Sequence, residues 1–75
     1  MHPLAFLEVY MIRVMVNGAG GKMGREVVKA VHNDPELTLV GGIDPTKAGQ
    51  DVGSVAGIEQ LGITMNASID EVLDK

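Results

Sequence analysis

The chain has no cysteine and only two aromatic residues, Phe6 and Tyr10. Without thiols there is neither a disulfide framework nor a thiolate metal site, which fits a reducing, cytoplasmic setting. Without aromatic bulk, the core has to come from Val, Ile, Leu, Met and Ala. Cations are few as well: six Lys and Arg face ten Asp and Glu, a net charge of −4. They are scattered, which argues against a nucleic-acid partner, whose phosphates call for clustered Lys and Arg. No apolar run approaches the roughly 18–20 residues of a membrane span, so no membrane partner is expected. The mildly apolar Met1 to Tyr10 lacks a basic n-region and a small-residue cleavage site, and does not read as a signal peptide. His2 and His32 are far apart in sequence and do not read as a metal site.

What the chain does have is glycine, ten in 75 residues. Such a content favours tight turns and close backbone approaches over a helical bundle. A chain this short buries only about 60% of its unfolded surface, so it makes one small domain of marginal stability. Met11 stands directly before the first strand and reads as the natural start, with Met1 to Tyr10 as an upstream extension.

Ile12 to Val16 is a short, β-branched, nearly continuous apolar run, the pattern of a parallel strand buried on both faces. A helix is predicted from Lys22 or Met23 to His32, with Val27, Val28 and Val31 on one face. Asn33-Asp34-Pro35 ends it, because proline disfavours helical geometry at the preceding residue. Leu37 to Ile43 reads as a second strand closed by Asp44-Pro45. A right-handed crossover sets the C-terminal ends of these two strands side by side. Thr46 to Gly62 reads as loop with a short turn near Val52 to Val55, and Ile63-Thr64-Met65 as a brief third strand. Ser68-Ile69-Asp70-Glu71 is a capping box, which predicts a helix from Ile69 to Lys75 that buries Ile69, Val72 and Leu73. The expected fold class is α/β: a Rossmann-like dinucleotide-binding domain, cut to β-α-β-loop-β-α around a parallel sheet.

The chemistry is concentrated where strand meets helix, in Gly18-Ala19-Gly20-Gly21-Lys22-Met23-Gly24. Gly18, Gly21 and Gly24 are spaced G-x-x-G-x-x-G, a variant of the usual G-x-G-x-x-G. The first makes the turn, the second admits a pyrophosphate, and the third lets helix and strand pack closely. Free N–H groups of the first helical turn then face the anion. Asp44 lies 20 residues beyond Gly24, where an acidic residue takes the adenosine ribose hydroxyls. A phosphate-binding loop of the Walker type is excluded, because Gly21-Lys22 is followed by Met23 rather than Ser or Thr. Lys22, within the turn, is placed to meet a phosphate.

These residues resemble the N-terminus of the 4-hydroxy-tetrahydrodipicolinate reductase (dihydrodipicolinate reductase) family of bacterial lysine biosynthesis. The likeness rests on Ile12 to Arg25 with its Lys-Met-Gly-Arg ending, on Leu39 to Asp44, and on Gly49 to Gly57, similar to a G-x-D-x-G-x-x-A-G loop. The resemblance implies NADH or NADPH as cofactor, with Gly18, Ala19, Gly20, Gly21, Lys22 and Met23 against the dinucleotide and Asp44 at the adenosine ribose. It implies hydride transfer to hydroxy-tetrahydrodipicolinate, giving tetrahydrodipicolinate, in a homotetramer assembled through a C-terminal substrate domain. Many members carry Arg directly after the acidic residue. Pro45 stands there in this chain, and with the Asp44 carboxylate it leans towards NADH, while Lys22 and Lys47 keep dual use open.

The family's nicotinamide loop, catalytic His- and Lys-bearing motif and substrate domain lie beyond a chain of this length. No catalytic residue is therefore assigned, and the 75 residues by themselves are expected to be inactive. Residues 11–75 read as the N-terminal part of the cofactor domain. An open sheet edge makes such a piece prone to self-association. The alternative readings are a stand-alone, non-enzymatic NAD(P)-binding or regulatory module, and an interaction fragment without a ligand.

Overall fold

The computed structural model describes residues 12–73. The Met1 to Tyr10 extension, the start at Met11 and the predicted helix end at Lys75 lie outside them. In chain order come β1 (Ile12–Asn17), α1 (Lys22–Asn33), β2 (Leu37–Ile43), a 3-10 turn (Pro45–Lys47), α2 (Val52–Ala56) and α3 (Ile69–Leu73). β1 and β2 pair in parallel, so the first three elements form the expected Rossmann-like β-α-β unit. No helix among the described residues is long and apolar enough to cross a membrane.

Local chemistry sets the ends of α1. It starts after Gly21, an extended residue with no side chain to cap the first turn. Asp34, held extended ahead of Pro35, closes it, and the Asp34 amide donates to the Val31 carbonyl. Val28 and Val31 are buried as expected, but Val27 is 41% exposed. The apolar stripe is wider than the two strands beneath it. Val27 hangs over the outer side of β1, in a groove it shares with Val14, Val16 and Met23.

The strand register contains one irregularity. Val14 pairs with Leu39, yet Met15 pairs with Gly41, so Val40 is an extra residue in β2. A one-residue slip exchanges the faces of everything that follows it. Beyond the bulge, Gly42 passes through a slot too narrow for a side chain. A Cβ there would lie 2.9 Å from Val52 Cγ2 and 3.0 Å from both Ala19 Cβ and Met65 Sδ. Val16, Ala19, Val28, Val52, Ala56 and Met65 form the buried cluster, with Leu39, Val55 and Ile63 packed around it.

The predicted third strand is two isolated bridges, Asp51 with Thr64 and Ile43 with Asn66. Its backbone groups are shared between two neighbours, which prevents a regular ladder. The Asn66 amide donates to the Gly42 carbonyl, whereas the Met65 amide donates to Gln50 and the Val52 amide to Ile63. The last helix also differs from expectation. Ile69 is 51% and Leu73 70% exposed, and only Val72 is partly covered, in a groove with Arg13, Met15 and Val40. Ile69, Val72 and Leu73 share one face of the helix, but little of the described structure lies against it.

Candidate functional site

The glycine turn joins β1 to α1 and lies against the end of β2. Gly18 adopts φ +75°, a left-handed conformation that glycine takes without steric cost. Its amide and that of Ala19 both donate to the Ile43 carbonyl, at 2.7 and 3.1 Å, which ties the turn to the second strand. The Gly20 amide donates to Asp44 Oδ2 at 3.0 Å, and the Gly21 amide to the Gly18 carbonyl at 3.0 Å. All four amides of the turn are therefore engaged within the chain.

The next three are not. Lys22, Met23 and Gly24 open α1, and their N–H groups have no partner among the described residues, since the first helical bond runs from the Arg25 amide to the Gly21 carbonyl. The first turn of the helix carries no acidic residue. Three unpaired donors at the positive end of a 12-residue helix make a site for an anion. Lys22 and Met23 are both exposed there, Met23 by 80%. Gly24 keeps helix and turn in contact, because a Cβ on it would overlap the Gly18 carbonyl oxygen and lie 2.7 Å from the Gly18 carbonyl carbon.

Asp44 is brought to the turn by the bulge in β2. It is only 8% exposed. Oδ2 accepts from the Gly20 amide, while Oδ1 accepts from the Thr46 amide at 3.0 Å and the Thr46 hydroxyl at 2.8 Å. The Thr46 hydroxyl and amide, followed by the Gly20 amide and the Lys47 charge, hold its carboxyl below the usual carboxylate range against the opposing effect of burial. Asp44 thus caps the 3-10 turn and latches the glycine turn to β2. Among the described residues Oδ2 accepts the Gly20 amide alone.

Of the residues singled out from sequence, Gly18, Gly20, Gly21 and Asp44 come together at one end of the sheet, with Lys22 and Met23 beside them at the helix start. Ala19 is fully buried, so its side chain belongs to the core. Gly21 does not offer its amide to a ligand; its contribution is the missing side chain. Sequence reasoning passed over Thr46. The Asp-Pro-Thr order was the available signal for Thr46: an N-cap Asp with proline at the first helical position.

Asp51, noted from sequence only as the Asp of the Gly49 to Gly57 loop, has a structural part that the pattern did not show. It caps α2 through the Ser54 amide at 2.9 Å and receives the amides of Leu61, Gly62 and Ile63 at 3.0, 2.8 and 3.1 Å. Burial pushes its pKa up, but the Leu61, Ser54, Gly62 and Ile63 amides outweigh that and bring it down to about 2.

The family profile described as "Dihydrodipicolinate reductase, N-terminus" matches residues 12–75. The chain belongs to this family. The dihydrodipicolinate reductase relatives include the 4-hydroxy-tetrahydrodipicolinate reductase of Synechocystis sp., 52% identical over 65 residues, which is 84% of this chain and 24% of the relative. The protein of the same name from Cyanothece sp. is 52% identical over 64 residues, 83% of this chain and 23% of the relative. That from Desulfitobacterium hafniense is 42% identical over 59 residues, 79% and 22% respectively. The chain spans about a quarter of the length of these dihydrodipicolinate reductases.

Proposed function

We propose that this chain is the cofactor-binding part of an NAD(P)H-dependent 4-hydroxy-tetrahydrodipicolinate reductase, acting in the diaminopimelate route to lysine. The observation that carries the reading is the set of three amides, Lys22 to Gly24, unpartnered among the described residues, at a helix start without acidic residues, in a chain about half identical to reductases of that name. The residues fit a dinucleotide. The amides and the helix end receive the pyrophosphate, the bare backbone at Gly21 lets it approach, and Asp44 Oδ2, which accepts one amide among the described residues, accepts a ribose hydroxyl. NADH or NADPH, when bound, supplies the hydride. This segment holds and orients the nucleotide; residues 12–73 offer no assigned proton donor for the substrate. On this reading residues 11–75 are the first part of the cofactor domain, and substrate contacts and tetramer assembly belong to the remainder of the enzyme. The high identity to reductases favours this over a non-enzymatic module.

Reading the source frame past Lys75 tests the domain assignment. Continuation into an apolar strand and a His- and Lys-bearing motif supports it, and an immediate stop codon overturns it. The site itself is tested with Met23→Asp in the full-length gene product. Met23 touches little, and a carboxylate in the first turn of a helix favours helix formation. The melting temperature is expected to hold, while NADH affinity falls at least about tenfold because the new carboxylate competes for the same amides. Unchanged affinity would remove the anion site.

The outer edge of β1 has no partner strand among the described residues. Groups of this kind pair with other chains. The isolated 75 residues are accordingly expected to self-associate in sedimentation, and a clean monomer at high concentration would count against it.

A further inference from the structure

We propose that Thr46 is a positioning residue for the cofactor: its hydroxyl pins one oxygen of Asp44 and so turns the other, Oδ2, to the glycine turn, where it takes the adenosine ribose 2′-hydroxyl. This rests on the dinucleotide reading above and adds to it a residue that neither the glycine spacing nor the acidic strand end points to. A carboxylate has two broad settings about its last torsion, and either oxygen can face a ligand. Here the chain makes the choice. Oδ1 receives two donors from one residue, the Thr46 amide at 3.0 Å and the Thr46 hydroxyl at 2.8 Å. Oδ2 receives the Gly20 amide at 3.0 Å and would stand 2.6 Å from a Cβ on Gly20, so it faces the turn that leads into α1.

The two Thr46 donors differ in origin. The amide is backbone, set by the 3-10 turn that Pro45 opens, and any residue but proline supplies it there. The hydroxyl is what threonine adds. An ionised carboxylate only accepts, and a hydroxyl rotates to donate, so the contact matches a charged Asp44. The Thr46 hydroxyl is also the largest of the influences that lower the Asp44 carboxyl pKa, ahead of the Thr46 amide, the Gly20 amide and the Lys47 charge. Lys47 is the charged side chain that acts on Asp44, from the same turn. The glycine turn contributes the Gly20 amide, and Asn66 a carbonyl that accepts the Asp44 amide at 2.8 Å. At 8% exposure, Asp44 has little water with which to replace a lost donor.

The test is a cycle of calorimetric titrations on the full-length gene product. NADH and an NADH analogue lacking the adenosine 2′-hydroxyl are each titrated into the unaltered protein, Thr46→Val and Thr46→Ser. Valine keeps the shape of threonine and the backbone amide, and loses the hydroxyl. In Thr46→Val, NADH affinity is expected to fall about tenfold. Affinity for the analogue should change less than about twofold, because it has no hydroxyl for Oδ2 to take. Thr46→Ser is expected to restore NADH binding. A loss equal for both ligands, a loss that serine does not restore, or no loss at all would overturn the positioning role and leave the dinucleotide site standing. An unaltered protein that binds both ligands equally would remove the ribose contact of Asp44, and this proposal with it, while the anion site at α1 remains. If it binds neither ligand, the dinucleotide reading itself falls.

Discussion

Gly24→Ala is expected to cost about 3 kcal/mol or more, the upper end of what overpacking does, because the added methyl meets backbone and not a yielding side chain. The Cβ would overlap the Gly18 carbonyl oxygen and sit 2.7 Å from the Gly18 carbonyl carbon and 2.9 Å from Ala19 Cα. None of these can move without breaking the hydrogen bonds that the Gly18 and Ala19 amides donate to the Ile43 carbonyl. The usual preference of helices for alanine over glycine, at most about 1 kcal/mol, is too small to compensate. For a domain of this size the melting temperature should drop by roughly 10 °C or more, and nucleotide affinity with it. Gly21→Ala is the control. Its nearest obstacle, the Gly18 carbonyl oxygen, is 3.4 Å away, and its backbone is in the extended region open to any residue. It should fold normally. A Gly24→Ala variant that melts within about 2 °C of the parent would show that helix and turn can separate without loss.

Asp51→Asn is expected to destabilise the chain strongly near neutral pH and hardly at all near pH 2. Oδ1 serves the Gly62 and Ile63 amides, and Oδ2 serves the Ser54 amide and hydroxyl and the Leu61 amide. An asparagine has one oxygen, so whichever way its amide turns, an NH2 group faces donors. The loss is felt at the N-terminus of α2 and in the return of the chain towards Met65 at once. The sign with pH follows from the depressed pKa. The carboxyl titrates at about 2 when folded and about 3.9 when unfolded. Its stabilisation is complete above the unfolded value and is lost as the pH falls through the folded one. Melting curves of the two proteins should therefore converge between about pH 4 and pH 2. A gap that stays constant over that range would mean that the Asp51 charge is not what holds residues 61–63.

Much of the site was legible in the chain because its constraints are local. Gly18, Gly21 and Gly24 mark a turn and a close helix contact by spacing alone, and Asp34-Pro35 ends a helix through the geometry of two adjacent residues. The Lys-Met-Gly-Arg ending, with Leu39 to Asp44 and Gly49 to Gly57, pointed to the family. Where local pattern was asked to stand for packing, it failed. Val27 belongs to the apolar stripe of α1, but the strands below reach only Val28 and Val31. Ile69 and Leu73 are apolar, yet 51% and 70% exposed, because periodicity states which residues share a face and not whether a surface meets it.

The sequence by itself determined the β-α-β order, the uncapped start of α1 and the presence of an acidic residue at the end of β2, since each follows from neighbours along the chain. Only the tertiary structure decided what that acidic residue does. The extra residue at Val40 shifts the register of β2 by one, and pairing across strands, unlike helix or turn formation, has no trace in either strand alone. With that shift Asp44 meets Gly20, 24 residues away, and is largely consumed as a latch. The same fold-back lays the Lys47 stem against Gly20, a contact made through the fold and not along the chain.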